Sequence, residues 1–262
     1  MRRPKRTIVI LVTMLILVGL WSTQALPGSI FYGYKTNIND PFVKLFNFTK
    51  ERKARFEVNL LEKRLSEAVA LIRKEQLTDK AYMAWLASFR SDWYAVQARI
   101  SAVRDSQDPL LGHAIAVEEN AVIQGFVTAM PFISGNYSAE VQKIVDEIAP
   151  LLKDSATDRD QFTQATNSQY SKYQYLGKVE DQVNVIDVYT SETRAMFQAL
   201  ESKVSKDMYL RLGHMQEEVD RAVADAKDSR ARDLYPDAGL RANEAHALSR
   251  QLRVIVDVLA DN

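Results

Sequence analysis

The sequence predicts an all-α protein, with an N-terminal membrane or signal helix followed by an antiparallel multi-helix bundle of long, heptad-like helices. Three observations carry this. Apolar residues recur in alternating steps of three and four over long stretches, the spacing of one helix face. Chain breakers are few, 9 Gly and 7 Pro in 262 residues, and they fall between those stretches. An uncharged N-terminal segment has the length and composition of a helix made for lipid.

Residues 1–6 place Arg2, Arg3, Lys5 and Arg6 ahead of an uncharged stretch from Thr7 to Tyr34, whose most apolar part is Ile8 to Trp21. A helix over 7–26 spans a bilayer. The cations precede it and the first acidic residue is Asp40, so the N-terminus is expected in the cytoplasm and the body outside, as a single-pass cell-membrane protein. Trp21, Phe31, Tyr32 and Tyr34 suit the outer interfacial zone. The same basic and apolar runs, with Thr23-Gln24-Ala25 as a small-residue cleavage site, also fit a signal peptide cut near Ala25 and a secreted body. Both alternatives place the body outside the cytoplasm.

Beyond residue 6 the chain carries a formal charge of −4, because four of its 34 Lys and Arg residues lie in the first six positions against 34 Asp and Glu overall. Such a body, with no basic run, offers no footprint for nucleic acid. The absence of cysteine excludes disulfides, thiolate metal sites, thiol catalysis and a lipidated cysteine. No Gly-rich phosphate loop, Gly-x-Ser-x-Gly elbow or paired-Asp cluster occurs, so neither an enzyme nor a cofactor is expected.

Residues 27–48 form a membrane-exit linker with a short helix. From Thr49 to Gln76, Ala54, Val58, Leu61, Leu65, Ala68 and Ile72 make one apolar stripe, and Glu51 precedes Arg55 by one helical turn. From Thr78 to Arg104 the seam is Tyr82, Leu86, Phe89, Trp93, Val96, Ile100 and Val103. Thr49 and Thr78 are N-cap candidates, and the short connection implies an antiparallel αα-hairpin with Trp93 in its core against Leu61 and Leu65.

Asp108-Pro109 opens a third helix reaching about Met130, since Asp caps and Pro suits the first helical position. Residues 49–130 thus form one region, residues 131–137 a break and residues 138–262 a second helical region. Within the latter, Ser138 caps a short helix with Val141, Ile144 or Val145, Ile148 and Leu152 inward, which Pro150 ends or kinks. Thr157 with Asp160 marks another start. A second seam runs through Val179, Val183, Ile186, Thr190, Thr193, Phe197 and Leu200, where periodicity outweighs the β-branched run from Val183 to Thr190. Helices follow over about 204–230 (Met208, Met215, Val219, Ala222, Ala226) and from Pro236 (Leu248, Leu252, Ile255, Leu259).

The run Leu26-Pro27-Gly28-Ser29-Ile30-Phe31-Tyr32-Gly33-Tyr34-Lys35, with the helix bearing Arg55, Leu61, Arg64, Leu65 and Glu67, resembles an uncharacterised bacterial envelope domain family. Its members carry L-P-G-x-x-L-Y-P-x-K directly after a membrane or signal helix, then a helix with R-x-x-x-x-x-L-x-x-x-R-L-x-E. The likeness covers roughly residues 26–100 and implies an envelope protein; relatives include outer regions of anti-sigma factors and short exported proteins. The family has no assigned activity. Here Phe31 stands for Leu and Gly33 for Pro, the helical spacing differs slightly, and an Asn-rich stretch from Thr36 to Asp40 implies a late start for the first short helix. Only six residues precede the apolar helix, so no sigma-binding domain is expected from them.

Leu26, Pro27, Gly28, Tyr32 and Lys35 therefore form a membrane-exit motif in which Pro27 and Gly28 stop the helix, the aromatic residues rest at the interface and Lys35 begins the wet side. Docking of a membrane partner is the alternative reading of that motif. Glu118, His214 and Glu217 make a candidate polar site: Glu118 falls where the Leu111, Ile115, Val122 series wants an apolar residue, and His214 with Glu217 is an i,i+3 pair, the reverse of the Glu-x-x-His order used in metal-binding bundles. A small rotation of the third helix that returns Glu118 to solvent is the plainer reading. The tyrosine-rich polar segment with Tyr170, Tyr173 and Tyr175 suits a recognition surface or a helix packed by one edge. The expectation is a membrane-tethered interaction or structural module with a protein partner or self-association, the alternative a ligand- or metal-sensing bundle.

Overall fold

In the computed structural model of the chain, residues 22–29, 31–44, 49–105, 108–133, 138–169 and 176–260 are described. They are helical, with no strand among them. The long helices are α1 (Lys50–Arg73), α2 (Asp79–Asp105), α3 (Pro109–Ala129), α4 (Ser138–Ile148), α5 (Leu151–Gln169), α6 (Leu176–Gln198), α7 (Lys206–Ala231) and α8 (Tyr235–Ala260). Most of the apolar run over 7–26, and Tyr170, Tyr173 and Tyr175, lie outside the described residues. Among the described residues no helix is long and apolar enough to cross a membrane.

Local chemistry sets the helix ends. The Thr49 hydroxyl accepts from the Arg52 N–H at 3.1 Å, Thr78 from Ala81 at 3.2 Å, and the Asp108 carboxylate from Leu111 at 3.3 Å with Pro109 at the first position. Between α4 and α5 only Ala149 and Pro150 intervene. Helix α5 then runs straight through Thr157, whose hydroxyl donates to the Lys153 carbonyl at 2.9 Å; this residue is interior and starts nothing.

The chain divides into two compact units, the first ending at Asp92 and the second beginning at Trp93. At the break expected over 131–137 a 3₁₀ turn covers Met130–Phe132 and α4 begins at Ser138, while residues 134–137 lie outside the described residues. The third helix belongs with the C-terminal helices because it packs on α5 and α8.

In the first unit the α1 stripe is fully buried, Ala54, Val58, Leu61, Leu65 and Ala68 each at 0% exposure. The α2 seam is buried at Tyr82, Leu86 and Phe89, but the central tryptophan is Trp85. Its ring stacks on Phe89 at 5.3 Å and its indole N–H donates to the Arg64 carbonyl at 2.7 Å, which fixes the antiparallel hairpin. The seam continues buried through Val96, Ile100 and Val103, so its register holds; Trp93, the first residue of the second unit, is only half-buried, which corrects the expectation that it is the core tryptophan. Position 85 lies on the same face one turn before Phe89, so Trp85 joins the buried side of the helix beside the seam.

In the second unit α3 is a central helix with almost every side chain buried. All seven residues of the 179–200 seam are buried, and Val179, Val183 and Ile186 join a cluster with Leu110, Val223, Ala226, Ala238 and Leu240. On α7, Leu212, Gln216 and Val223 take inward places while Met215 and Ala222 are half-buried. On α8, Leu252, Ile255 and Leu259 are buried and Leu248 half-buried.

Candidate functional site

The exit motif folds into a compact device. The Ser29 N–H bonds the Leu26 carbonyl at 3.1 Å, Pro27 stands second and Gly28 third with φ +87°, the arrangement of a type II turn. Gly adopts that φ without strain, and a Cβ there would sit 3.2 Å from Ala81. The chain then enters a short helical segment made of Tyr32–Tyr34, a π-helical turn Lys35–Asn39 and Asp40–Lys44. After the turn, helical structure thus resumes at Tyr32, and the Asn-rich stretch widens the helix instead of delaying it. The Asp40 N–H reaches back to the Lys35 carbonyl, the i→i+5 bond that lays residue 40 over residue 35. An α-helix would place those two side chains on different faces.

Both consequently point inward. The Lys35 ammonium pairs with Glu67 Oε1 at 2.7 Å and donates to the Ala25 carbonyl at 2.8 Å. The Tyr32 hydroxyl donates to Glu67 Oε2 at 2.8 Å. Arg64 spends its guanidinium on three carboxylates: Nη1 on Glu67 at 2.9 Å, Nε on Asp92 at 2.7 Å and Nη2 on Asp40. Lys63 closes on the other Asp40 oxygen at 3.0 Å, and Lys44 reaches the buried Glu57 at 2.7 Å. As the exit segment advances from Tyr32 to Lys44, its partners on α1 step back from Glu67 to Glu57, so the two run antiparallel.

Lys35, Lys63 and Arg64 balance Asp40, Glu67 and Asp92 in charge. Burial pulls the Lys35 pKa down, and Glu67 opposes that; burial also pushes Asp92 up against the pull of Arg64. With Lys35 2% and Tyr32 5% exposed, neither side chain is presented outward as the exit-motif reading expects; both belong to the core, because each reaches a carboxylate on α1. Leu26 is half-buried and Pro27 buried in the same turn.

The second constellation lies on α3. Glu118 is 3% exposed and does not rotate to solvent, since neighbours surround the helix. Its carboxylate accepts from Arg250 at 2.8 Å, with His246 Nδ1 at 3.5 Å from the other oxygen. Glu119 accepts from Gln97 at 2.9 Å and 3.1 Å. Asn120 donates to Ser155 at 2.8 Å. Three successive residues thus meet α8, α2 and α5 in turn, as steps of about 100° around a central helix require. Burial pushes the Glu119 carboxyl up to about 8, and donation from Gln97 offsets only part of this. His113, fully buried, is pulled down to about 4 by burial. Its Nδ1 stands 3.3 Å from the Asn243 amide nitrogen, and its Nε2 has no hydrogen-bond partner.

His214 and Glu217 approach at 3.4 Å but are 78% and 71% exposed on α7. Glu118 is buried among other residues, so the three do not form one site. Among the described residues no group of three or more His, Asp and Glu side chains could hold a metal. Between α3, α5 and α8 lies a cleft of about 180 Å³ with Val117, Ala121, Ala247 and Leu248 as apolar lining and Asn120, Arg159, Glu244 and Gln251 as polar lining. Neither the Arg64 cluster nor this cleft was legible as a site: the first needs contacts across 24 to 35 positions, and the second places one charge on α5 and the other on α8.

No protein-family model, curated protein or solved structure matches the chain.

Proposed function

We propose that the protein is a membrane-tethered, extracytoplasmic helical module of the cell envelope that engages a protein partner or a second copy of itself. The observation that carries this reading is the cluster joining Tyr32 and Lys35 to Arg64 and Glu67. A chain leaving a membrane helix through a flexible linker would leave its body free to tumble, whereas this one is fastened to α1 within a few residues of the turn. These four residues are among those that carry the likeness to the uncharacterised envelope domain family, which supports an outer location. The long seams are consumed in the core and offer a partner nothing. Val185, Val188 and Tyr189, at i, i+3 and i+4 on α6 and 48%, 58% and 38% exposed, form an apolar row suited to one.

A reporter fused after Asn262 is expected to be active only outside the cytoplasm, and activity solely inside overturns the location. A photo-crosslinking residue at Val188 of the full chain in membranes is expected to give a discrete protein adduct that the exposed Asp225 position does not. Equal labelling at both positions overturns the interaction face.

The cleft supports a second reading, a small-ligand sensor. A guanidinium and a carboxylate above an apolar lining suit a small zwitterion. Free amino acids should then raise the melting temperature of the protein, and Arg159→Ala should abolish the rise.

A further inference from the structure

Residues 31–43 have their polarity inverted. Their two charged side chains, Lys35 and Asp40, are 2% and 7% exposed, while Phe31, Ile38, Phe42 and Val43 are 43%, 52%, 57% and 43% exposed. Water favours the opposite arrangement, and an exposed apolar row beside buried charges is the informative departure from it. The π-helical turn produces the inversion, since it rotates Lys35 and Asp40 together toward α1 and leaves Ile38 outside.

We infer that this outward face lies on the lipid surface, with Phe31 and Ile38 inserted at the headgroup boundary; the inference rests on the proposed membrane anchor. Phe31 follows Leu26, the expected end of the spanning helix, by five residues, which reach at most about 17 Å when extended, and the turn at Pro27 and Gly28 shortens this. The face is thereby held near the bilayer on any path the chain takes. It carries no exposed charge from residue 31 to 43, so it needs no anionic lipid, and Phe31 and Phe42 are of a type that surface-lying helices bury at the headgroup boundary. The buried cluster beneath then transmits the orientation of this segment to α1.

The chain has no cysteine, so single-cysteine variants report cleanly. Ile16→Cys in the apolar run, Ile38→Cys on the face and Met83→Cys, an exposed α2 position at 62%, are each labelled with an environment-sensitive dye in the full chain. The proteins are reconstituted in phosphatidylcholine vesicles with and without spin-labelled lipid. Positions 16 and 38 are expected to lose most of their emission to the spin label, and position 83 to keep it. Quenching at 16 but not at 38 overturns the inference and leaves the anchor standing. A blue shift at 38 without lipid quenching does the same and identifies a protein surface as the occupant. Quenching at neither overturns both, and equal quenching at 38 and 83 overturns a specific face.

Discussion

The Tyr32 hydroxyl donates to Glu67 Oε2 across 2.8 Å and 35 positions of chain, and the opposite oxygen of the same carboxylate holds Lys35 and Arg64. Glu67 is thus the point at which the exit segment and the first long helix become one body. Removing it leaves an ammonium and a guanidinium buried with fewer counter-charges, which is the costly way to break an ion network.

Glu67→Ala is therefore expected to destabilise the first unit by about 3–5 kcal/mol. Tyr32→Phe, which withdraws one donor from a charged acceptor, should cost about 1.5–3 kcal/mol. Urea unfolding of each variant and of the double variant checks this. The double variant should cost clearly less than the two single effects combined, because Tyr32→Phe has less left to lose once Glu67 is gone.

Trp85→Ala should destabilise by about 3–5 kcal/mol, since it removes a fully buried ring stacked on Phe89 and the donor to the Arg64 carbonyl. Trp93→Ala should cost less than half of that, the ring being only half-buried. Melting temperatures of the two variants decide the order, and the reverse order would make Trp93 the core tryptophan, as the seam by itself suggests.

Two buried groups on α3 give opposite pH dependences. Glu119 has a folded pKa raised to about 8 from 4.5, so the folded state holds a proton that the unfolded state has released. Its contribution is present in full below the unfolded value and is lost as pH rises through about 8, with a limiting slope of about −1.4 kcal/mol per pH unit. His113 is held down at about 4 from 6.5, so its contribution is present above the unfolded value and is lost as pH falls from 6.5 through about 4. Glu119→Gln, which mimics the protonated carboxyl, should flatten the alkaline decline between pH 5 and 8 and leave the acid limb in place. Denaturant midpoints across pH, measured for both proteins, test this.

At Gly125 a Cβ would sit 3.1 Å from the Gln251 carbonyl and 2.9 Å from Val254 Cγ1, so α3 and α8 approach by backbone. Gly125→Ala is expected to destabilise by about 1–3 kcal/mol despite its better helix propensity. Gly177→Ala, with nothing within 4 Å, should stabilise by up to about 1 kcal/mol through propensity alone. Thermal unfolding of the pair separates close packing from intrinsic preference.

The helices, their caps at Thr49, Thr78 and Asp108, and the α6 seam with its β-branched run could all be read along the chain. They rest on steps of three and four residues and on hydrogen bonds that span three positions, which are local quantities. Burial of the stripes on α1 and α6 follows from the same periodicity. The choice of Trp85 over Trp93, and of Val223 over Ala222, turns on which neighbour a face meets. The inward turn of Lys35 and Asp40 depends on a π-helical bond that no composition signals, and its reward comes from Arg64 and Glu67 more than twenty positions away. Glu118 read as an interruption of an apolar face because Arg250, its counter-charge, is 132 positions distant. A buried charge is tolerable only beside its partner, and that partnership exists only once the helices have packed.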